Sequence, residues 1–214
     1  MALIGALAAA GCADPAGDAA GRQAAREADR ARAESAFAAY QSALAERRGD
    51  DAAALVSSGT LAYYESARRL ALTALADELG SRSAFDRLTV VSLRVGVPAD
   101  QLAAGTPAEL FAAVVDAGLV GQQVGALVVR STSVDGDLAR VQLVAGAGQL
   151  ITVEVRREGD EWRVDVTGLI PLADAAISQL AAAQGIAEDE LILATLSAIT
   201  GRTIGPEVFN PPLP

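Results

Sequence analysis

The chain has 214 residues, enough for one domain, and sets 27 acidic residues against 17 basic ones for a formal net charge of −10. All 17 basic residues are arginine; with no histidine and no lysine, the usual zinc sites, histidine-based triads and Schiff-base amines cannot be assembled. No arginine run exceeds a pair, and the acidic balance lacks the basic surface that tracks phosphates, so no nucleic acid partner is expected.

Residues 1–11 form an apolar run ending in small residues directly before Cys12. This resembles the hydrophobic region and lipobox of a bacterial lipoprotein signal. The resemblance implies a chain held at the membrane by acyl groups on Cys12, in the cell envelope on the periplasmic side. A non-functional signal would instead leave the protein secreted or cytoplasmic. Cys12 is the single cysteine, so no disulfide can form within the chain.

Residues 12–23, interrupted by Pro15, Gly17 and Gly21, read as a flexible tether, and a single α+β domain is expected over 24–200. Its helical part occupies 24–118. The first helix runs from Ala24 to Arg48 with Ala33, Phe37, Tyr40 and Leu44 as one apolar stripe, its charge-rich first turns projecting beyond the core. Gly49 stops it, and Asp50 or Asp51 is expected to cap a short helix ending near Val56. Arg48-Gly49-Asp50 spells a cell-adhesion tripeptide, but at a helix stop these residues already have a structural task.

A longer helix is expected from Thr60 to Leu79, with Leu61, Tyr64, Leu72, Leu75 and Leu79 turned inward. Ser83 and Asp86 resemble a capping box opening a helix over Ala84 to Val95, which buries Phe85, Leu88 and Val91 or Leu93. Thr106-Pro107-Ala108-Glu109 is the clearest helix start: a threonine cap, proline at the first helical position and glutamate three residues after the cap.

Residues 124–167 read as a four-stranded antiparallel meander. Strict alternation places Leu127, Val129, Ala139, Val141, Leu143, Ile151, Val153, Val155, Trp162, Val164 and Val166 on one buried face. A turn at Gly146 to Gly148 sets Val141 opposite Val153 and Arg140 opposite Glu154. A two-residue turn Glu158-Gly159 would set Arg156 opposite Glu161 and Glu154 opposite Arg163, avoiding like-charge pairs. At the first turn, a three-residue loop with a bulge at Gly136 keeps Arg130 off the apolar face.

Two C-terminal helices follow within 171–200, and residues 201–214 form an extended, proline-rich tail pinned by Phe209 and Leu213. Glu188-Asp189-Glu190 is expected to serve the helix dipole rather than a metal, and no cofactor or metal is expected.

The chemistry still open to this chain uses carboxylate, tyrosine, serine, threonine and arginine. Tyr40, Tyr63 and Tyr64, with Glu65 adjacent, are the candidate catalytic groups if a raised-pKa carboxylate works with a phenol. The simpler expectation is that these rings fill the core with their hydroxyls at its edge.

Ala36 to Leu55 and Val153 to Val166 are similar to segments of the cone-shaped folds related to nuclear transport factor 2 (NTF2-like). Here helices stand where those folds have an early strand pair, and two helices and a tail are added. The ending Gly201 to Leu213 resembles that of uncharacterised bacterial secreted or lipid-anchored proteins. These resemblances imply a helix-covered sheet but no activity, because that superfamily holds enzymes, binding modules and assembly proteins.

The expected function is a non-enzymatic, lipid-anchored envelope protein that binds a small apolar ligand or a protein partner. One alternative is an NTF2-like proton-transfer enzyme, of isomerase or hydrolase type, which needs a buried unpaired carboxylate beside one of the tyrosines. Another is a structural interaction module with a filled core and an exposed apolar patch around Leu191, Leu193 and Phe209.

Overall fold

The computed structural model describes residues 15–212 apart from 122–123 and 125–126, so the segment 1–11, Cys12 and Leu213 lie outside the described residues. The architecture is α+β: helices, then a four-stranded antiparallel meander, then two further helices and a tail. Helix α1 (Pro15–Ala45) begins well before Ala24, so the expected tether is helical from Pro15 onward. Alanines at 16, 19, 20, 24 and 25 outweigh the glycines in helix propensity, and proline suits a first turn. Its turns from Ala19 to Ala28 are exposed, whereas Ala33, Phe37, Tyr40 and Leu44 are buried in the core as their spacing requires.

Helix α2 (Gly49–Ala54) is not capped by its own aspartates. The Gly49 nitrogen donates instead to Asp116 Oδ1 at 2.7 Å, which binds α2 to α7 (Pro107–Asp116). The long helix expected from Thr60 is two: α3 (Ser58–Thr73), capped by the Ser57 hydroxyl, and α4 (Ala76–Gly80). Arg94 causes the break. Its guanidinium donates to the carbonyls of Leu70, Ala71 and Ala74 at 3.0, 2.9 and 2.6 Å, engaging acceptors at the helix end and adding a second bond to Leu70 O, which already takes the Ala74 N–H. Leu75, expected inside, is consequently 61% exposed at the junction.

Arg94 belongs to α5 (Ala84–Gly96), the central helix, which packs on α3, α7 and both C-terminal helices. Ser83 caps it by accepting from Asp86 N at 3.1 Å. The short α6 (Ala99–Ala104) was not signalled by periodicity. Helix α7 opens with the complete capping box: Thr106 Oγ1 accepts from Glu109 N, and Glu109 Oε2 accepts from Thr106 N at 2.7 Å.

The sheet runs β1 (Val128–Asp135), β2 (Leu138–Val144), β3 (Leu150–Glu158) and β4 (Glu161–Asp165), neighbours in sequence being neighbours in space. The β2–β3 register is the expected one, with Val141 opposite Val153 and Arg140 opposite Glu154. Two other expectations fail. The first loop is the two-residue Gly136-Asp137, and parity is restored by an irregularity between Val129 and Ser131 rather than at Gly136. The last loop is Gly159-Asp160, so Glu154 faces Asp165, Arg156 faces Arg163 and Glu158 faces Glu161.

Glycine leads both two-residue loops with positive φ, +57° at Gly136 and +63° at Gly159. The turn therefore decides the register, and the charges find partners off the rungs. Arg156 reaches Asp165 and Glu154, and Arg163 reaches Glu161 and the Ala54 carbonyl. The free edge of β4 is closed by the α2–α3 connection, where Ser57 N donates to Val164 O and Val164 N to Leu55 O.

Helices α8 (Ile170–Gln184) and α9 (Glu188–Thr200) end at left-handed Gly185 and Gly201. The acidic start of α9 has specific partners. Arg87, buried on α5, donates to Glu188 Oε2 and Asp189 Oδ1, and Glu190 accepts from Ala187 N. The tail is not simply extended: Pro206–Phe209 forms a 3₁₀ turn, with Phe209 buried and the Val208 carbonyl bonded to Arg94. Leu191 and Phe209 are buried and Leu193 half-buried, so the apolar patch expected there does not exist.

Candidate functional site

Tyr40 on α1, Tyr63 and Tyr64 on α3, and Ser92 on α5 converge on one cavity of about 320 Å³. It is roofed by Leu119, Val120, Gly121 and Val124 and by Val166, Leu169, Ile170 and Ala173 at the start of α8. Leu44, Phe85, Leu88, Phe111, Val114, Leu119, Val120 and Val124 supply most of the wall, so the lining is overwhelmingly hydrocarbon. The volume lies in the range of small-molecule sites, roughly 300–1,000 Å³.

The rings are held rigidly. Tyr64 meets Phe111 edge to face at 5.0 Å, Tyr63 stacks on Phe85 at 6.2 Å, and the two tyrosines meet edge to face at 5.9 Å. Their hydroxyls are treated very differently. Tyr63 donates to Asp86 Oδ1 at 2.9 Å and lies 3.1 Å from Thr89 Oγ1, which itself donates back to the Phe85 carbonyl. Among the described residues, the hydroxyls of Tyr40, Tyr64 and Ser92 have no hydrogen-bond partner, although the three residues are only 5, 6 and 4% exposed.

The three oxygens are not fully enclosed, and all three residues line the cavity. Burial pushes the phenols of Tyr40, Tyr63 and Tyr64 well above their ordinary value of 10.0, Tyr64 adding to the effect on Tyr40. They are neutral donors throughout the physiological range.

The expected companion carboxylate is elsewhere. Glu65 lies on the outer face of α3, where two hydrogen bonds of 2.9 Å from Arg68 lower its pKa. The carboxylate nearest a tyrosine is Asp86, already bonded to Tyr63, and no carboxylate or arginine lines the cavity among the described residues. The arrangement can hold an apolar molecule and hydrogen-bond it, but presents no charged group to it.

A second polar cluster, around Asp165, is fully engaged. Asp165 accepts from Thr167 N and Oγ1 and from Arg156 Nε, while Thr60 Oγ1 accepts from Val166 N at 3.1 Å. These bonds tie the end of β4 to the start of α3. Trp162 lies on the buried face of the sheet under the Arg157 guanidinium, 4.7 Å from the ring centre, and does not reach the cavity.

Sequence reasoning singled out the tyrosines but missed Ser92, the roof residues Leu119, Val120, Gly121 and Val124, and the start of α8. The available signal for Ser92 was a hydroxyl set between the apolar Val90, Val91 and Leu93. Comparison with protein-family models, curated proteins and solved structures finds no match for the chain.

Proposed function

We propose that this protein is a non-enzymatic, lipid-anchored component of the bacterial envelope whose helix-walled cavity binds a small apolar ligand. The observation that carries the reading is the cavity itself: about 320 Å³, lined, among the described residues, by aromatic and aliphatic side chains with a few hydroxyls and no ionic group. The attachment rests on the lipobox-like sequence before Cys12. No single described helix is long and apolar enough to cross a membrane, and in this reading acyl chains on Cys12 supply the anchor. The resemblance of segments 36–55 and 153–166 to NTF2-related folds is compatible with a binding module and is kept as part of the proposal.

A second reading, docking of a protein partner, has one observation in its favour. Helix α8 buries only Ala181 and leaves Leu172 and Leu180 exposed at 41 and 49%.

Mass spectrometry tests the proposal in both parts. Intact mass from the membrane fraction should show an acylated Cys12 that is lost in Cys12→Ala, and native spectra should show a co-purified small molecule. An unmodified, ligand-free chain would count against both.

A further inference from the structure

Resting on the reading of the cavity as a ligand site, we infer that its ligand is an uncharged, mostly hydrocarbon molecule bearing one hydrogen-bond-accepting oxygen, a ketone or aldehyde by class, which the hydroxyls of Tyr40, Tyr64 and Ser92 recognise. The three groups come from α1, α3 and α5, so their convergence is a property of the packing and not of one helix turn.

In the free protein these three hydroxyls keep some accessible surface; a ligand that fills the cavity withdraws them from water, and a polar group so withdrawn without a partner costs about 1–3 kcal/mol in mutational data. The contrast inside the site is informative. Tyr63 and Thr89 are satisfied by protein atoms, and Thr89 makes the helical back-bond to Phe85 O that serine and threonine usually make. Ser92, one turn further along the same helix, makes no such bond among the described residues. Its hydroxyl, like those of Tyr40 and Tyr64, keeps its donor for something outside the protein.

The ligand's charge follows from the wall. Among the described residues no cation lines the cavity to receive a carboxylate or phosphate, and no carboxylate lines it to receive an amine, so an ionised ligand would be buried unpaired. The phenols remain protonated because burial disfavours the phenolate, which suits them to donate. A carbonyl oxygen has two lone pairs and accepts from two donors at once, and the aromatic and aliphatic remainder of the wall takes the hydrocarbon part.

The test uses the full chain and two probes of one shape, benzophenone and diphenylmethane, which differ in a carbonyl replacing a methylene. Affinities are read by displacement of the neutral fluorophore N-phenyl-naphthylamine in wild type and in Tyr40→Phe, Tyr64→Phe and Ser92→Ala. Wild type should prefer benzophenone by about tenfold, the worth of a buried hydrogen bond. The preference should shrink in the variants while diphenylmethane binding holds. The carbonyl stretch of bound benzophenone should move to lower frequency in wild type and return in Tyr40→Phe/Tyr64→Phe. Equal binding of both probes, or a preference that survives all three substitutions, would overturn the inference and leave the cavity as a plain apolar site. Failure of both probes to bind would overturn the ligand-site reading and this inference with it.

Discussion

Arg156 Nε donates to Asp165 Oδ2 across 2.7 Å, reaching diagonally past Arg163, the residue directly opposite it in the ladder. Burial disfavours the Asp165 carboxylate, but the bonds from Thr167 Oγ1 and N and from Arg156 together outweigh it and hold the carboxyl below its ordinary 3.8. Because the folded pKa is the lower one, this contribution to stability is present above the unfolded pKa and is lost as pH falls through the folded value. Asp165→Asn should lower unfolding free energy at neutral pH by about 2 kcal/mol, the scale of charge-assisted bonds. In acid titrations below the unfolded pKa the variant should lose less additional stability than wild type. Denaturant midpoints across that window measure both effects.

Gly49 is a packing requirement. A Cβ there would lie 2.2 Å from the Ala112 carbonyl oxygen and 2.6 Å from Asp116 Oδ1, both on the helix that receives its N–H. Gly49→Ala must push α2 off α7 and break that bond. The expected loss is about 2–3 kcal/mol, read as a lower denaturant midpoint. The same contact buries the middle of the Arg48-Gly49-Asp50 tripeptide, as its place at a helix stop anticipated.

Arg94 should prove irreplaceable by lysine. Four carbonyls, Leu70, Ala71, Ala74 and Val208, surround its guanidinium with no carboxylate among its bonded partners, and burial lowers its pKa to about 10. A lysine has three donors on one atom and cannot span acceptors on both α3 and the tail. Arg94→Lys should therefore speed amide exchange at the α3–α4 junction and around Pro206–Phe209 almost as much as Arg94→Met does.

The tyrosines make the fold sensitive to alkali. Their folded pKa values lie above the ordinary 10.0, so the stability they lend is complete below that pH and falls as pH rises beyond it. Tyrosinate absorbance should therefore appear late, together with loss of helical dichroism. Tyrosinate absorbance at about pH 10, the ordinary value, with the fold intact would contradict their burial.

Much of this architecture was legible locally. The Thr106–Glu109 capping box, the Phe37–Tyr40–Leu44 stripe and the Val141–Val153 rung each follow from a few neighbouring residues whose chemistry admits one arrangement. What was illegible depended on residues distant in sequence or on backbone conformation. The break after Thr73 is made by an arginine 20 residues beyond Ala74, and the β3–β4 register by the conformation of Gly159, which overrode the expected charge pairing. The tyrosines could be named from sequence. That all three share a cavity with Ser92, while Glu65 faces outward to Arg68, emerges only from how α1, α3 and α5 pack.

The measurement that tests the central claim most directly is titration of the neutral fluorophore N-phenyl-naphthylamine into the wild-type chain and into Ala173→Phe, which places a ring in the cavity from α8. The account predicts saturable, one-to-one fluorescence enhancement in wild type and its loss in a variant that remains folded by dichroism. Absence of binding in wild type, or equal binding in the filled variant, would contradict the assignment of this cavity as the ligand site.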